Sequence, residues 1–365
     1  MNLQEQNILF FTRTMKLGGT ENVVLQLCEI FKPCVNKIVV CSCGGVNVEK
    51  LTAMGIKHIQ INDIEEKSIP SIINTIKILK KIVKEENITV IHTHHRMAAF
   101  YVSMLRLYKK CVFVNTSHNT FTDKRFLTRF AYKHGNLIAC GKMVKKNLID
   151  VYGLPEKQIT VIHNAVKPFD GNIVEDPLIK QLHINGNFVV GNIGRLSEQK
   201  GMEYFIEAIP KIIDKCPNAK FVIAGSGEDE AKLKKLSLEL KVDDSLYFLG
   251  YRSDVQNLMS QLDLIVLSSL WEGLPLTPIE AFSVGKTIVA TAVDGTVEIV
   301  RDDVDGCLVK ERDSNQISDK VIYLLSSPKK KKSFEEEAQK TYFEEFSFDK
   351  LSKGYTEYYR GIECY

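Results

Sequence analysis

The feature that most constrains this chain is a pattern that occurs twice. Asn7-Ile8-Leu9-Phe10-Phe11 is a short apolar run. It passes through Gly18-Gly19-Thr20 into Glu21–Ile30, whose apolar residues recur at helical spacing. Some 180 residues further on, Phe188–Ile193 leads through Gly194-Arg195 and Lys200-Gly201 into Tyr204–Ile213 in the same way. Each opening is followed by more short apolar runs. In the first half these are Lys37–Cys41, Ile88–His92, Val112–Asn115, Leu137–Ala139 and Ile159–Ile162. In the second they are Phe221–Ala224, Tyr247–Leu249, Leu264–Leu267, Thr287–Ala290 and Gly306–Val309. Helical patterns such as Ile73–Val83 and Ala231–Leu240 separate them. Near-continuous apolar strands interleaved with helices specify parallel sheets buried on both faces. The expected fold class is therefore α/β, with two facing doubly wound Rossmann-like domains and a cleft between them. Pro168, Asp170, Gly171, Asn172 and Pro177 cluster within Lys167–Asn187, which reads as the linker. That gives domains at 1–168 and 169–349.

Composition excludes most other classes. With 44% hydrophobic and 25% charged residues in 365, the chain is neither disordered nor fibrous. No apolar run approaches the roughly 20 residues that span a bilayer. Met1–Gln6 lacks the charged-then-apolar pattern of a leader. Nine cysteines, odd in number and without a CxxC pair, suggest neither a disulfide framework nor a zinc site. A reduced, cytoplasmic setting is expected. Charge is uneven: residues 1–170 hold 24 Lys+Arg against 13 Asp+Glu, and residues 171–365 hold 24 against 32. A basic front half points to an anionic partner, either a phosphate-bearing substrate or a membrane surface; solvated helix faces account for part of it. Lys329–Lys332 after Pro328 reads as the opening of a solvated surface helix.

Ligands of such sheets bind at strand ends. Gly18-Gly19 lets backbone N–H groups approach an anion at a helix start, although the same pair serves a plain turn. It is not GxGxxG, which weakens a dinucleotide-binding reading. Arg195 and Lys200 flank the second turn and suit a diphosphate; as incidental loop charges they would need no ligand. The segment Trp271-Glu272-Gly273-Leu274-Pro275-Leu276-Thr277-Pro278-Ile279-Glu280 is the most specific in the chain. Thr277 with Glu280 fits a capping box with Pro278 at the first helical position, which would make Glu280 a structural cap. Glu272 lies upstream, where no cap needs it, and carboxylates there accept the paired hydroxyls of a sugar. His92, His94, His95 and His118 gather at two strand ends, but no carboxylate or cysteine completes a metal set nearby. Asp303-Val304-Asp305 before Gly306 reads as turn chemistry.

Taken together, these motifs resemble the retaining, nucleotide-sugar-dependent glycosyltransferases of family 4, which have the GT-B fold of two Rossmann-like domains. The resemblance runs over nearly the whole chain. It includes Gly18-Gly19-Thr20-Glu21, Val90-Ile91-His92-Thr93-His94, Ser117-His118-Asn119, Val161-Ile162-His163-Asn164-Ala165, Gly194-Arg195-Leu196, Lys200-Gly201 and Ala224-Gly225-Ser226-Gly227. Its most specific element is Glu272 with Glu280, followed by Gly295 to Glu298. The resemblance implies a hexosyltransferase-type enzyme. Arg195 and Lys200 would hold the donor diphosphate, together with the turns at Gly194 and Gly225. Glu272, Gly273 and Leu274 would meet the transferred sugar, and Glu280 the ribose. Gly18 and Gly19 would face phosphates or acceptor, and Tyr251 and Arg252 would border the base pocket. His118 would sit near the departing group, with His94 and Asn119 on the acceptor side. The final segment, 350–365, would pack back on the first domain.

The chain departs from the family pattern at three places. Asn164-Ala165 follows His163 where Pro and Asn-Gly are usual, Thr296 replaces a second glycine after Gly295, and Cys140-Gly141 stands where a serine is common. No charged ligand is lost. The implied reaction retains configuration and needs neither metal nor cofactor, because Arg195, Lys200 and a helix terminus stabilise the departing diphosphate. The implied partners are a nucleotide sugar, with uridine the common base, and a glycan or lipid-diphosphate-linked acceptor in surface polysaccharide or glycolipid synthesis. Peripheral contact with the anionic inner face of a membrane fits the basic front half, and no nucleic acid is expected. A sugar phosphorylase or nucleotide-sugar epimerase of the same fold, and a non-catalytic nucleotide-sugar-binding protein, are the competing readings.

Overall fold

The computed structural model describes residues 1–362 and divides the chain into two compact units. The first comprises Met1–Asn164 and the chain from Leu351 onward; the second is Ala165–Lys350.

In the first unit seven strands pair in parallel: β1 (Asn7–Phe11), β2 (Lys37–Ser42), β3 (Lys57–Gln60), β4 (Val90–Thr93), β5 (Val112–Ser117), β6 (Asn136–Ala139) and β7 (Ile159–Val161). Their order is β3-β2-β1-β4-β5-β6-β7. Strands β1 and β4 are buried along their whole length, as continuous apolar runs in a doubly covered sheet require. Strand β3 had no sequence signal, because this short edge strand is half-buried and carries Lys57, His58 and Gln60.

The second unit holds β8 (Phe188–Ile193), β9 (Ala219–Ala224), β10 (Leu246–Gly250), β11 (Leu264–Leu267), β12 (Ile288–Thr291) and β13 (Gly306–Val309). These are parallel in the order β10-β9-β8-β11-β12-β13. One face of this sheet packs on the helix Met202–Lys215, which buries Phe205, Ile206, Ile209 and Ile212 against Phe221, Ile223 and Val266. Fully burying side chains of this size contributes roughly 1.5–3 kcal/mol each.

Both sheets reverse their winding once, at β1/β4 and at β8/β11. Such a switch point opens a crevice beyond the carboxyl ends of the strands, which decides where side chains can meet a ligand.

The segment expected to be a linker contains a helix, Pro177–Ile184. Asp176 caps it by accepting the N–H groups of Leu178 and Ile179, and Pro177 occupies the first turn, where a missing N–H costs nothing. The aromatic C-terminal helix runs Phe348–Gly361 and buries Leu351, Tyr355 and Tyr359 at four-residue spacing. The last three positions of the expected 350–365 segment lie outside the described residues. Asp303 adopts a left-handed φ of 59° in its turn, while the Asp305 carboxylate accepts from Arg301 and from Thr341 Oγ1.

Candidate active site

At the switch point of the second unit, the chain leaving β8 meets the chain leaving β11. Gly201 takes a left-handed φ of 52° at the start of the helix Met202–Lys215, so that Lys200 turns back over the strand ends. The loop is fastened from β11: Ser268 Oγ donates to the Lys200 carbonyl (3.0 Å) and accepts from Asn192 Nδ2 (2.9 Å). Leu270 N–H donates to the Gln199 carbonyl (2.8 Å). This lacing places Lys200 Nζ 2.5 Å from Glu272 Oε1. The Glu272 carboxylate is nearly buried and also accepts Ser269 Oγ (2.8 Å), while its backbone N–H donates to Asp294 Oδ2 (3.1 Å). A carboxylate has about four acceptor sites, and among the described residues only Oε1 carries a bond, which leaves Oε2 for a ligand hydroxyl.

Glu280 lies in the helix Leu276–Ser283. The expected capping box does not form. Pro275 is the N-cap and no side chain caps the helix, so Thr277 and Pro278 lie inside its first turn. Glu280 is therefore not consumed as a cap. Its half-buried carboxylate receives no hydrogen bond among the described residues. Burial pushes it up to about 7, against the pull of the Lys200 charge. Such a group is poised to accept donors from outside the protein.

Two glycines keep the crevice open. A Cβ on Gly225 (φ 150°) would collide with the Gly194 carbonyl oxygen, and one on Gly295 with the Gly273 carbonyl oxygen. Gly273 and Leu274 are buried in this wall. Thr296, the departure from a second glycine, is buried, with an Oγ1 that has no partner among the described residues. Arg195 is exposed beside Gly194.

The two residues expected at the base pocket differ. Tyr251 is 53% exposed after β10. Arg252 is committed within the protein: Nε and Nη2 hold both Asp254 oxygens at 2.7 Å, and Nη1 holds Asp176 at 2.6 Å. That guanidinium keeps both carboxyls below their ordinary range, although burial raises Asp176. These bonds take three of the five guanidinium N–H groups and fix its orientation, which leaves one N–H on each of Nη1 and Nη2 for a ligand.

In the first unit Gly18 precedes the helix Gly19–Phe31, and Thr14 Oγ1 donates to Glu21 beside it. His92 lies on β4, His94 and His95 just beyond its end, and His118 just beyond the end of β5. His94 Nδ1 and His118 Nε2 share a hydrogen bond at 3.1 Å, and the His92 and His94 rings stack with centroids 4.3 Å apart. His92 is held at both nitrogens: Nδ1 by Tyr359 OH and Nε2 by Thr116 Oγ1, each at 2.8 Å. Thr116 Oγ1 in turn meets Tyr355 OH at 3.0 Å. Burial depresses all three imidazoles, His118 to about 4, so they are neutral near pH 7 and act as hydrogen-bonding groups rather than cations. His94 Nε2 has no partner among the described residues. Asn119 is exposed beyond His118. His95 caps the helix Arg96–Met104 by accepting Met97 N–H.

Sequence reasoning did not find Ser269 or Asp294, which hold Glu272, nor the tyrosines that hold His92. The only signal for them was their neighbourhood: Ser269 stands three residues before Glu272 and Asp294 just before Gly295.

Comparison with known proteins bears on both units. A model of "Glycosyl transferases group 1" matches residues 175–341, and one of "Glycosyltransferase Family 4" matches residues 17–168. The chain is 31% identical over 294 residues to the UDP-Gal:alpha-D-GlcNAc-diphosphoundecaprenol alpha-1,3-galactosyltransferase of Escherichia coli, covering 71% of this chain and 73% of that one. Among solved structures, a glycosyltransferase from Rickettsia africae superposes with a TM-score of 0.84 at 21% identity, covering 97% of this chain and 98% of that chain. Anabaena HepE in complex with UDP-glucose gives 0.84 at 20% identity, covering 98% and 100%. These two likenesses are of fold.

Proposed function

The chain belongs to glycosyltransferase family 4, and from that premise we propose that it moves a hexose-type sugar from a uridine diphosphate donor to a lipid-diphosphate-linked or glycan acceptor. It is a glycosyltransferase; the base, the acceptor class, retention and metal independence are our reading. The observation that carries this reading is the pairing of Lys200 with Glu272 at the β8/β11 switch point, next to a Glu280 carboxylate that receives no hydrogen bond among the described residues.

The residues divide the work by their chemistry. Lys200 and the exposed Arg195 supply positive charge for the departing diphosphate, at the start of a helix whose dipole has the same sign. Glu272 restrains Lys200 and offers Oε2 to a hydroxyl of the transferred sugar. Glu280 accepts ribose hydroxyls, whose donors stabilise its ionised form. In the proposed reaction the bond from the anomeric carbon to the diphosphate oxygen breaks while the acceptor oxygen bonds on the same face. The acceptor proton passes to the departing phosphate oxygen. No metal is needed for this charge balance. His94, His118 and Asn119 line the acceptor side as neutral hydrogen-bonding groups. An acceptor with a lipid diphosphate lies in a bilayer, so the enzyme works peripherally at the cytoplasmic surface of a membrane.

The test is the anomeric configuration of the product, read by proton NMR after reaction of a UDP-α-sugar with a lipid-diphosphate acceptor in EDTA. An α-linked product formed at full rate supports the reading; a β-linked product, or loss of turnover in EDTA, refutes it.

A further inference from the structure

The surface of the first unit that follows strand β5 has an unusual charge balance. Between residues 118 and 149 the sequence holds seven Lys and Arg and a single carboxylate, Asp123. Asp123 is engaged by Arg96 at 2.7 Å. The loop after His118 and the helix Arg125–Tyr132 stand within this stretch, and the helix has three distinct faces. Thr128, Ala131 and Tyr132 are buried. Arg125, Arg129 and Lys133 recur every fourth residue and are exposed. Phe126 and Phe130, also four apart, form a stripe beside them, and Phe126 is 93% exposed. Phe121 in the preceding loop is 45% exposed, with the Arg96 guanidinium 4.9 Å from its ring centre.

A helix face that only meets water has no use for a phenylalanine with almost all its surface exposed. Aromatic rings flanked by Arg125, Arg129 and Lys133, which no carboxylate pairs among the described residues, match the headgroup region of an anionic bilayer. There the rings enter the acyl boundary and the cations meet lipid phosphates. The shortage of carboxylates argues against a protein partner with a mixed-charge surface. The insertion-competent Phe126 argues against a purely polyanionic one. The loop carrying Phe121 begins at His118 and Asn119, so a bilayer held here lies beside the acceptor-side residues.

We propose that Phe121, Phe126 and Phe130, with Arg125, Arg129 and Lys133, form a docking surface for an anionic lipid bilayer. The surface delivers the enzyme to a lipid-borne acceptor, a purpose that rests on the function proposed above.

The test is co-sedimentation of the full chain with vesicles of phosphatidylcholine alone or with 30% phosphatidylglycerol, without substrates. Binding is expected only to the anionic vesicles and should weaken with salt. Phe126→Ser should weaken it about tenfold, and Arg125→Gln with Arg129→Gln by at least as much. All three positions are exposed, and unchanged thermal melting should verify the fold of each variant. Nucleotide release from the donor with a soluble, short-chain acceptor should stay within twofold of wild type in Phe126→Ser. Equal binding to both vesicle types, absence of binding, or wild-type binding by the variants would overturn the proposal. So would heparin binding as tight as vesicle binding and insensitive to Phe126→Ser, which would mark a polyanion site. Vesicle binding through these residues combined with inactivity on every lipid-linked acceptor would leave the docking surface standing and sink the functional reading alone.

Discussion

Glu280 should make the protein less stable, and the amount can be worked from its surroundings. Its carboxylate is half-buried, has no donor among the described residues, and is pushed from 4.5 up to about 7. At about 1.36 kcal/mol per pKa unit the ionised form costs at most about 3.4 kcal/mol, and the solvent that still reaches it lowers this to about 2. A raised pKa in the folded state means that the folded form holds the proton more tightly. The penalty is therefore absent below about pH 4.5, grows between 4.5 and 7, and is complete above 7. Glu280→Gln keeps the shape and removes the charge. Ligand-free Glu280→Gln should melt with wild type at pH 4.5 and some 4–8 °C above it at pH 8, given about 2–4 °C per kcal/mol for a unit of this size. Circular dichroism melts across this pH range provide the measurement. Saturating uridine diphosphate should narrow the gap, because ribose hydroxyls then satisfy the wild-type carboxylate. A difference that does not change with pH, or a Gln variant less stable at pH 8, would show that the carboxylate is already satisfied within the protein and would refute the reasoning.

Other substitutions test the remaining parts. Lys200→Met strands the buried Glu272 carboxylate and should cost about 3 kcal/mol in urea denaturation, with turnover lost more than a hundredfold; adding Glu272→Gln should restore stability but not turnover. Arg252→Ala removes the bonds to Asp254 and Asp176 and should destabilise by about 2 kcal/mol at pH 7. Because both carboxyls are held low, that stabilisation is complete above their usual value of 3.8 and is lost as pH falls toward their lowered folded values, so the gap between variant and wild type in urea melts should narrow steadily below about pH 4 and still be visible at about pH 3. Tyr359→Phe leaves His92 Nδ1 without its partner and should cost about 1–2 kcal/mol in thermal or urea unfolding. Excess EDTA should leave sugar transfer unchanged in a continuous nucleotide-release assay.

The sheets were readable because their strands are covered on both faces, which forces runs such as Phe188–Ile193 and Leu264–Leu267 to be apolar without interruption. The edge strand Lys57–Gln60 is under no such pressure and left no signal. The Glu272 segment could be singled out because glycine, proline and two carboxylates recur there in a fixed order. The atoms that hold it could not. Lys200 and Glu272 lie 72 positions apart, and Glu272 N–H meets Asp294 across 22, distances over which no periodicity operates. The supposed cap at Thr277 failed because Pro275 starts the helix earlier, and local sequence fits both registers. Arg252 shows the same limit: its partner Asp176 is 76 residues away, inside a segment whose prolines and glycine read as linker. The Tyr359–His92 bond spans 267 positions.

The proposed seat of the transferred sugar is the Lys200–Glu272 pair. The most direct measurement is nucleotide release from UDP-, GDP-, ADP- and CDP-sugars with a lipid-diphosphate acceptor extract, comparing wild type with Glu272→Gln. The account predicts release from a uridine donor in wild type and at least about a hundredfold loss in the variant, which still binds free uridine diphosphate. Equal release by both proteins, or release that persists while Glu272→Gln loses only nucleotide affinity, would contradict it.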